Sequence, residues 1–570
     1  MNSIKRIKIV KWSLSLVFFA FFIYIFLLQT VYSKKYEQMA SRQHCDSISL
    51  LAERGKIFDT KGTPLAYNQL CASVRILPQY VRCRDSVANL LAIYDLKSKN
   101  DIINDLTHNT KLFWFKKYVD YQTANQLKKD LRRRQFDNSI IIADDLKRIY
   151  PFGPSLGSVL GILGEDNGLA GVEFACDKIL KGKQGCIILQ KDAIGNNYYW
   201  PTYPMVRPQN GDDVVLTINL DMQEIAYREL AKYVDNFKAI RGSVLVIDTK
   251  SGAILTMCDY PDFDPQSYND YSTSLWTSTA VSDEFEPGSV YKLVICATAL
   301  ESENKEQLLN REYDVSRGFI EISGKKINDV HKNGIISFYD IFTKSSNIGV
   351  SMLSQCLSRE KFFLMERRFG FSVPTGIELP GEANGYLDPP RFLTPLRFSN
   401  NAFGQGVRTT LLQLSIAYLT IADDGLLLKP YIIKEIIHNG KTIYQGKRNV
   451  IRRVLDEPIA MLIKDILSQA VIQGTGRAAQ LDDFLVCGKT GTAQKLEPDG
   501  TYSQKKSIMT FIGFFPKENP QYLISVLVDE PKISRFASEI TCPLFHDIGV
   551  KILQLQNSKT ITNNKDLALH

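Results

Sequence analysis

The chain has 570 residues, of which 44% are hydrophobic and 23% charged, and its formal net charge at pH 7 is +8. This composition excludes an intrinsically disordered chain and predicts two to four globular domains. The positive charge is small and spread along the chain. No aromatic–basic stripe or recognition-helix pattern accompanies it, so we expect no nucleic-acid binding.

The first predicted element is an uncharged apolar segment at residues 12–32, long enough to cross a bilayer. The first eleven residues contain no acidic residue and four basic ones, Lys5, Arg6, Lys8 and Lys11. This asymmetry favours a single-pass anchor with residues 1–11 in the cytoplasm and everything after about residue 33 outside it. The alternative is a cleaved signal peptide, but the segment is long for that purpose and no small-x-small cleavage site follows it cleanly.

Residues 33–213 are predicted to form an α+β region, called the pedestal below, between the anchor and the C-terminal domain. Its first part, 33–66, is expected to be a polar, helical stalk that ends in a strand and a tight turn at 54–62. The remainder mixes short strands with charged helices such as 122–134. A segment rich in Pro, Asn and Gly, 201–213, marks the boundary to the next domain.

Residues 214–556 are predicted to form an α/β domain in which helices cover both faces of an antiparallel sheet and an all-helical lobe is inserted. The pattern predicts a helix at 221–237, a helix-rich block at about 289–425 and a closing helix at 542–554. The predicted strands are 243–248, 253–258, 484–494, 509–515 and 522–529. The last residues, 557–570, are expected to be a loose polar tail.

The most informative motif is Ser289-Val290-Tyr291-Lys292, which follows Pro287-Gly288 and precedes a long apolar helical stretch. The Ser-x-x-Lys pattern alone carries little information, since it also occurs at 302–305, 323–326, 358–361 and 503–506. Only Ser289 has the Pro-Gly pair and the apolar helix, which together place it in a first helical turn. A lysine three residues later shares its helix face. In a dry cleft that lysine is neutral and can take the serine proton, which creates a nucleophile.

A second candidate motif is Ser345-Ser346-Asn347, in a turn that follows a helix-like segment at 337–344. The Ser345 hydroxyl can relay a proton to a leaving amine. The Asn347 amide can orient a substrate and hold Lys292. Taken alone, such a triplet is an ordinary polar turn or helix cap.

The third motif, Lys489-Thr490-Gly491-Thr492, is predicted to lie in a strand. Lys489 offers a positive charge, and the hydroxyls of Thr490 and Thr492 can bind a carboxylate. Gly491 allows another backbone to approach closely. The backbone N–H of Thr492, together with that of Ser289, is a candidate oxyanion donor. Alone, this motif also fits an ordinary strand end.

The histidines and cysteines form no metal-binding pattern. No histidine pair has helical ligand spacing and the ten cysteines include no Cys-x-x-Cys pair, so we predict no metal and no other cofactor. Cys258, Cys296 and Cys487 lie in apolar stretches and are expected to be core thiols, although export would permit a disulfide.

The three motifs together resemble those of class B penicillin-binding proteins, which are membrane-anchored peptidoglycan D,D-transpeptidases. Departures at Asn219, Asp423 and Thr60-Lys61 lie outside the three motifs, and no glycosyltransferase block precedes the pedestal. Further blocks carry the likeness in family order: Arg54-Gly55 to Gly62 with Pro64-Leu65-Ala66, Arg148 to Pro151, Gly168 to Glu173, Leu216-Thr217-Ile218 with Gln223, Asp264-Pro265, Gly404-Gln405-Gly406 with Thr410 and Gln413, and Phe511 to Pro516.

The resemblance implies a penicillin-binding, beta-lactamase-like fold behind an elongated pedestal, at the bacterial inner (cytoplasmic) membrane. It implies that Ser289 is acylated with Lys292 as its base, and that Ser345 and Asn347 form the second catalytic motif. Lys489, Thr490 and Thr492 would receive the terminal carboxylate of a D-Ala-D-Ala stem peptide. D-Alanine would leave, and a neighbouring stem's amine would accept the acyl group. Beta-lactams would trap Ser289.

Within this class, the ending Val528-Asp529-Glu530-Pro531 and the compact inserts resemble the septal type that acts in cell division. The elongation type is the alternative. The resemblance also implies a polytopic SEDS-type glycosyltransferase and divisome proteins as partners. Two other classes stay open: a beta-lactam sensor or hydrolase on the same fold, which requires rapid deacylation, and a non-catalytic scaffold of a wall-building complex.

Overall fold

The structure is a computed structural model that describes residues 3–36, 45–136, 139–191, 197–199, 205–497 and 501–567. Within these residues the chain separates into two compact units. One unit comprises the residues up to 54 together with 182–211, and the other comprises 55–181 together with the residues from 212 onwards.

The first unit contains the N-terminal helix, Ser3–Thr30. Its span Ile4–Thr30 is long and apolar enough to cross a membrane, and none of it is buried against other protein. This span includes most of the apolar segment that the sequence predicts as an anchor.

The first unit also contains a small antiparallel sheet. Its strands are Cys45–Leu50, Gly185–Lys191, Asn197–Tyr199 and Met205–Val206, and the second of them pairs with each of the others. The predicted helical stalk is therefore wrong at Cys45–Leu50. There, polar and apolar residues alternate as Ser-Ile-Ser-Leu, the period of a strand and not of a helix. Residues 37–44 of the stalk, and 201–204 of the predicted boundary segment, lie outside the described residues.

In the second unit, residues 55–181 form a sheet covered by helices on one face. Strand Pro64–Ile76 pairs antiparallel with both Phe113–Val119 and Ile140–Ile149. The helices Arg84–Ile93, Lys99–His108 and Tyr121–Arg134 bury their apolar sides together with this sheet. Three short helices follow, Gly157–Leu160, Gly171–Ala175 and Asp177–Leu180.

Strand Asp213–Leu216 pairs with strands on both sides of the predicted domain boundary. It pairs in parallel with Ile57–Phe58 of the pedestal and antiparallel with Ile433–His438, which in turn pairs with Lys441–Gln445. The boundary expected between residues 213 and 214 thus falls inside a strand whose hydrogen bonds tie the two regions together.

The C-terminal domain is built around a five-stranded antiparallel sheet. Across the sheet the strands are Ile254–Tyr260, Arg241–Asp248, Tyr522–Asp529, Tyr502–Phe515 and Cys487–Leu496. Helices Leu220–Asn236 and Ala537–Leu567 lie on one face, and Lys292–Leu300, Leu411–Ala422 and Glu457–Ile472 lie on the other. Helices on both faces of an antiparallel sheet are the predicted arrangement, and all five predicted strands are present.

Successive residues of the sheet's inner strands alternate between two hydrophobic cores. In strand Arg241–Asp248, Val244 and Val246 belong to the core under the C-terminal helix, while Leu245 and Ile247 belong to the core around the helix that follows Ser289. A strand with a buried residue at every position fits only between two helical layers.

The sequence predicts an all-helical inserted lobe. This prediction is wrong, because the lobe also contains strands. Strand Phe319–Ile322 pairs with Lys325–Asn328, and Tyr313–Asp314 pairs with Ile335–Ile336. The first pair is a hairpin whose two turn residues, Ser323 and Gly324, both have positive φ, +51° and +76°. A two-residue turn with positive φ at both positions matches the right-handed twist of the two strands that it joins.

The remaining elements are distributed over the C-terminal domain and the pedestal. Within the described residues the other helices are Thr279–Ser282, Lys305–Asn310, Phe338–Thr343, Asn347–Ser354, Arg359–Arg368 and Pro395–Ala402. Strand Leu426–Leu428 pairs with Val450–Arg453. Short 3₁₀ segments lie at Pro78–Tyr80, Gly153–Leu156, Pro265–Asp270, Thr273–Leu275, Gly288–Tyr291, Pro390–Phe392 and Arg477–Ala479.

The predicted loose tail is wrong for residues 557–567. The last helix begins at Ala537, earlier than predicted, and continues to Leu567. Its extension has a simple local reason: after Pro543 and Gly549 the sequence contains neither proline nor glycine to end the helix. Residues 568–570 lie outside the described part of the chain.

Candidate active site

Ser289 lies in a 3₁₀ turn, Gly288–Tyr291, that continues directly into helix Lys292–Leu300. Gly288 has a φ of +60°, and a Cβ atom there would come within 2.9 Å of the carbonyl oxygen of Thr492. Glycine is therefore required for this turn to approach the neighbouring strand. Behind the turn, the Tyr418 hydroxyl donates to the carbonyl of Val290 at 2.8 Å. The serine itself is half-buried at the surface of a cleft.

Lys292 is buried beneath Ser289 on the same helix, with only 1% of its surface exposed. Its Nζ donates to the carbonyl oxygen of Ser345 at 2.7 Å and to the Ser345 hydroxyl at 3.2 Å. Burial lowers the pKa of Lys292 well below its ordinary value, and the charge of neighbouring Lys489 lowers it further, while the carboxylate of Asp329 acts in the opposite direction. A lysine in this environment is available as a neutral base.

Ser345 joins the two buried lysines. Its Oγ accepts from Lys489 Nζ at 3.0 Å as well as from Lys292. It occupies the turn between helices Phe338–Thr343 and Asn347–Ser354 with a φ of +58°. For a residue with a side chain, this left-handed conformation costs roughly 1–2 kcal/mol. The surrounding contacts must therefore hold the turn in place.

Asn347 does not hold Lys292, contrary to the prediction. It is the first residue of helix Asn347–Ser354, and its Nδ2 donates to the carbonyl of Asn328 at 3.4 Å. The side chain turns toward the hairpin because the helix begins at this residue, while the Ser345 turn fills the place next to the lysine. Asn347 nevertheless lines the same cleft as Ser289.

The Lys489–Thr492 segment is part of strand Cys487–Leu496, as predicted. Burial lowers the pKa of Lys489 to about 7. Thr490 and Thr492 line the cleft, and Thr490 Oγ1 lies 2.6 Å from the hydroxyl of Thr475. A Cβ atom on Gly491 would come within 2.3 Å of Thr510 Oγ1 and 3.0 Å of the carbonyl of Pro287, so glycine lets the strand pack against the turn that carries Ser289.

One cleft thus unites the three motifs: Ser289, Ser345, Asn347, Thr490 and Thr492 line it, and the two lysines lie beneath it. The other lining residues were not predicted from the sequence, and they include Asp329, His331, Asn333, Thr475 and Phe536. These residues come from loops, and no local pattern in the sequence distinguishes them from other polar loop positions.

The described residues contain no group of three or more His, Cys, Asp or Glu side chains placed to hold a metal ion. Cys258, Cys296 and Cys487 are buried free thiols, which confirms the expectation from their apolar surroundings.

Comparison with known proteins agrees with this geometry. Residues 242–549 match the penicillin-binding protein transpeptidase domain, and residues 49–216 match the penicillin-binding protein dimerisation domain. The chain is 31% identical over 530 residues to stage V sporulation protein D of Bacillus subtilis, covering 91% of this chain and 81% of that protein. It is 30% identical over 575 residues to the "Probable peptidoglycan D,D-transpeptidase PenA" of Neisseria gonorrhoeae, covering 99% and 95% of the two chains.

A further relative carries the name "Peptidoglycan D,D-transpeptidase FtsI", from Buchnera aphidicola, with 28% identity over 552 residues and coverage of 94% and 92%. Among solved structures, penicillin-binding protein 3 of Mycobacterium tuberculosis, complexed with aztreonam, aligns with a TM-score of 0.67 at 26% identity. That alignment covers 90% of this chain and 97% of the other.

Proposed function

The chain belongs to the penicillin-binding protein transpeptidase family and is a peptidoglycan D,D-transpeptidase, and from this premise we propose that Ser289 is its acylated nucleophile. The observation that carries the proposal is the meeting, in one cleft, of a half-buried serine with two buried lysines that share the Ser345 hydroxyl. Lys292 is the base in this scheme, and Ser345, Asn347 and Lys489 complete the catalytic group.

Acylation begins when neutral Lys292 removes the hydroxyl proton of Ser289. The Ser289 oxygen then attacks the carbonyl carbon of the D-Ala-D-Ala peptide bond, and the backbone N–H groups of Ser289 and Thr492 stabilise the oxyanion. Gly288 lets these two segments come together, since a Cβ atom at this position would lie only 2.9 Å from the carbonyl oxygen of Thr492.

Collapse of the tetrahedral intermediate breaks the peptide bond and releases D-alanine. Its nitrogen needs a proton, and the Ser345 hydroxyl is placed to relay one from protonated Lys292, because it accepts a hydrogen bond from that lysine. An amine of a neighbouring stem then attacks the acyl-enzyme and gives up a proton along the same path. The products are a new amide cross-link and free Ser289.

The opposite wall of the cleft suits the terminal carboxylate of the donor stem. Lys489 supplies positive charge, and the hydroxyls of Thr490 and Thr492 supply hydrogen bonds; Gly491 keeps the strand close to the nucleophile. Beta-lactams carry a carboxylate in the corresponding position, so they fit the same wall and acylate the same serine.

The direct test is covalent labelling by a fluorescent penicillin. We expect Ser289→Ala to abolish labelling, because Ser289 is the nucleophile in this scheme, whereas the Ser345 hydroxyl is held by hydrogen bonds from both buried lysines. Ser358→Ala is the matched control: Ser358 belongs to another Ser-x-x-Lys match, but its hydroxyl caps helix Arg359–Arg368 and donates to Glu360, and it does not line the cleft. Labelling that survives in Ser289→Ala would refute the assignment. An acyl-enzyme that turns over rapidly would favour the hydrolase or sensor.

The proposed arrangement in the cell follows from the N-terminal helix and its basic flank. Residues 1–11 lie in the cytoplasm, 12–32 cross the inner membrane, and the pedestal (33–213), catalytic domain (214–556) and tail (557–570) lie outside. Alkaline phosphatase, which is active only outside the cytoplasm, tests this orientation. We expect activity when it is fused to the C-terminus and none when it is fused to the N-terminus; the reverse result would contradict the arrangement.

We further propose a septal role in cell division, supported by the likeness to FtsI and by the Val528–Pro531 ending. A fluorescent fusion of the full chain should then gather at the division septum. Distribution along the side wall would favour the elongation type instead. A Ser289→Ala chain that fully restores a strain depleted of the protein would indicate a scaffold.

A SEDS-type glycosyltransferase and divisome proteins are the proposed partners, since cross-linking of stem peptides acts on glycan strands that a polymerase supplies. The test is co-purification of the full chain with such a polytopic protein from solubilised membranes. Purification of the chain alone, under conditions that preserve other membrane complexes, would contradict this partnership.

A further inference from the structure

The loop that follows the hairpin strand Lys325–Asn328 brings a carboxylate against the second catalytic motif. Asp329 Oδ2 accepts from the Ser346 hydroxyl at 2.6 Å. Its Oδ1 accepts from the backbone N–H groups of Asn347 at 2.6 Å and Ile348 at 3.0 Å. One side chain, sixteen positions before Ser345 in the sequence, therefore holds the three residues that follow Ser345.

These contacts complete the start of helix Asn347–Ser354. The Ser346 hydroxyl accepts from the N–H of Gly349 at 2.9 Å, and Asp329 accepts from the two N–H groups before it. The first N–H groups of a helix have no partner within the helix, and a carboxylate also interacts favourably with the positive end of the helix dipole. The helix start is thereby locked to the hairpin loop.

The orientation of Ser345 depends on this lock. Ser345 has a left-handed backbone, with a φ of +58°, and from it directs both its carbonyl and its hydroxyl at Lys292. A turn in this conformation persists only where its surroundings hold it. The residue directly after it, Ser346, is buried and bonded to Asp329.

We propose that Asp329 is a positioning residue for the transpeptidase reaction, which fixes the Ser345 turn against Lys292 and Lys489 and places a negative charge near Lys292. The proposal rests on the function proposed above, in which Lys292 is the base for Ser289. Asp329 acts through Ser345 and need not touch the substrate.

The charged groups around Lys292 and Lys489 determine how Asp329 affects the protonation of Lys292. Lys489, from strand Cys487–Leu496, and Asp329, from the loop, act on Lys292 in opposite directions. His331 and Lys344 lie further out, on the lining of the cleft. Removing the Asp329 charge takes away a contribution that favours the charged form, so the pKa of Lys292 should fall further and the base should be neutral at lower pH.

Two substitutions separate position from charge. Asp329→Ala removes every hydrogen bond, and we expect the second-order rate constant for acylation by a fluorescent penicillin to fall about 100-fold, the size expected when a catalytic group is displaced by about 1 Å. Asp329→Asn keeps an oxygen acceptor and removes the charge. It should lose less activity, and the acid limb of its pH–rate profile should move to lower pH.

Asp314 provides the matched control. It lies in the same lobe, and its Oδ1 likewise accepts from a serine hydroxyl, that of Ser316 at 2.6 Å, and from a backbone N–H, at 3.0 Å, but it does not line the cleft. Asp314→Ala and Asp314→Asn should therefore acylate at the wild-type rate with an unmoved pH profile. Melting temperatures of all four variants show whether a loss of activity is a loss of folding.

The proposal is overturned if Asp329→Ala acylates like the wild type, or if the acid limb of Asp329→Asn stays in place. If Asp329→Ala does not fold, the pH profile of Asp329→Asn decides alone. Ser289→Ala in the same assay separates the two proposals. Labelling that persists there refutes the function, whereas its absence together with wild-type behaviour of both Asp329 variants refutes only the role of Asp329.

Discussion

Two of the places where this protein buries charged side chains, one in the pedestal and one in the cleft, balance that charge in opposite ways. In the pedestal, Arg148 Nε donates to Glu173 at 2.7 Å, and the two side chains are 4% and 0% exposed. Arg148 also donates to the carbonyl of Gly55 at 2.8 Å. In the cleft, Lys292 and Lys489 are about as deeply buried as the pedestal pair. Within the described residues neither lysine forms an ion pair, and both donate a hydrogen bond to the hydroxyl of Ser345.

The difference separates structure from chemistry. A buried ion pair neutralises itself and holds two segments of chain together. Two buried ammonium groups without a carboxylate in contact have no such relief, so burial favours the loss of a proton and leaves a base. Burial alone therefore does not mark a functional site. Within the described residues, the cleft is set apart by two buried lysines that share one hydroxyl and form no ion pair, beside a half-buried serine.

The largest expected effect on the acylation rate comes from making Lys292 unable to lose its proton. Lys292→Arg keeps the positive charge and the length of the side chain, but a guanidinium stays protonated. We expect the acylation rate constant to fall by about 10²–10⁴, the usual contribution of a general base. Stopped-flow labelling with a fluorescent penicillin measures it.

Lys344→Arg is the control, since Lys344 lines the same cleft but is exposed at its rim. It should label at nearly the wild-type rate. If Lys292→Arg also labels at that rate, the unpaired lysine is not the base, and the contrast with the pedestal pair has no chemical meaning.

The next effect is on stability. Glu173→Gln leaves Arg148 buried without its counter-charge, which costs about 3–5 kcal/mol in such pairs. Urea unfolding should show this loss, while the acylation rate of the folded protein stays unchanged. Lys361→Met removes an equally short but exposed ion pair with Glu303 and should have no measurable cost. A Glu173→Gln protein of wild-type stability would contradict the structural role of the pair.

The sequence predicted the parts of the site that are local. The Pro-Gly pair before Ser289 and the apolar stretch after it determine a turn and a helix, and the alternation around Lys489 determines a strand, so both motifs lie in the elements expected of them. The hairpin at Phe319–Asn328 also has a local signal, its Ser323-Gly324 turn. The hairpin is not predicted from the sequence, because the surrounding block has a mostly helical pattern.

The rest of the site depends on contacts between distant segments. The left-handed turn at Ser345, the bond of Asn347 to Asn328 and the three bonds of Asp329 arise where the hairpin meets helix Asn347–Ser354. No periodicity or propensity in the sequence encodes that meeting. The expectation that Asn347 holds Lys292 is wrong for this reason.

A smaller effect concerns the second lysine. Burial lowers the pKa of Lys489 to about 7, so its positive charge is present below that pH and is lost as the pH rises through it. Acylation by a carboxylate-bearing penicillin should therefore decline above about pH 7. In Lys489→Arg the charge persists and this alkaline limb should disappear, while the rate at pH 6 falls by no more than about tenfold, because only the compact shape of the ammonium is lost.

A penicillin whose carboxylate is esterified serves as the control for Lys489. With no carboxylate to recognise, its acylation of the wild type should show no decline above about pH 7. An alkaline limb that persists in Lys489→Arg would belong to another group and would remove Lys489 from carboxylate binding.

The smallest effect tests a third buried charge, behind the nucleophile. Glu366 is 1% exposed, and its Oε1 accepts from the hydroxyl of Tyr291, the residue between Ser289 and Lys292, at 2.9 Å. Burial raises the pKa of Glu366 well above its ordinary value, and the nearby charge of Asp388 adds to the rise. This carboxyl has a neutral partner, so it avoids buried charge by keeping a proton, whereas Lys292 avoids it by giving one up.

A raised carboxyl pKa has a definite sign in stability. In the unfolded chain the Glu366 carboxyl ionises at about pH 4.3, whereas in the folded protein it keeps its proton to higher pH. The stabilising contribution is thus complete at acid pH and is lost as the pH rises toward the raised pKa of the folded state. Glu366→Gln keeps the oxygen acceptor for Tyr291 and removes this loss. Relative to the wild type, the variant should therefore be more stable at pH 8 than at pH 5, with a larger free energy of unfolding.

Chemical denaturation at the two pH values measures the difference, and Tyr291→Phe supplies the contrast. That change leaves the Glu366 carboxyl without its hydrogen bond, and we expect it to cost about 1 kcal/mol. Because Glu366→Gln keeps the bond, its acylation rate should stay at the wild-type value. A stability difference that does not change with pH would show that Glu366 titrates alike in the folded and unfolded chains. Buried charge without a counter-charge would then be relieved by proton loss in the cleft, but not by proton uptake behind it.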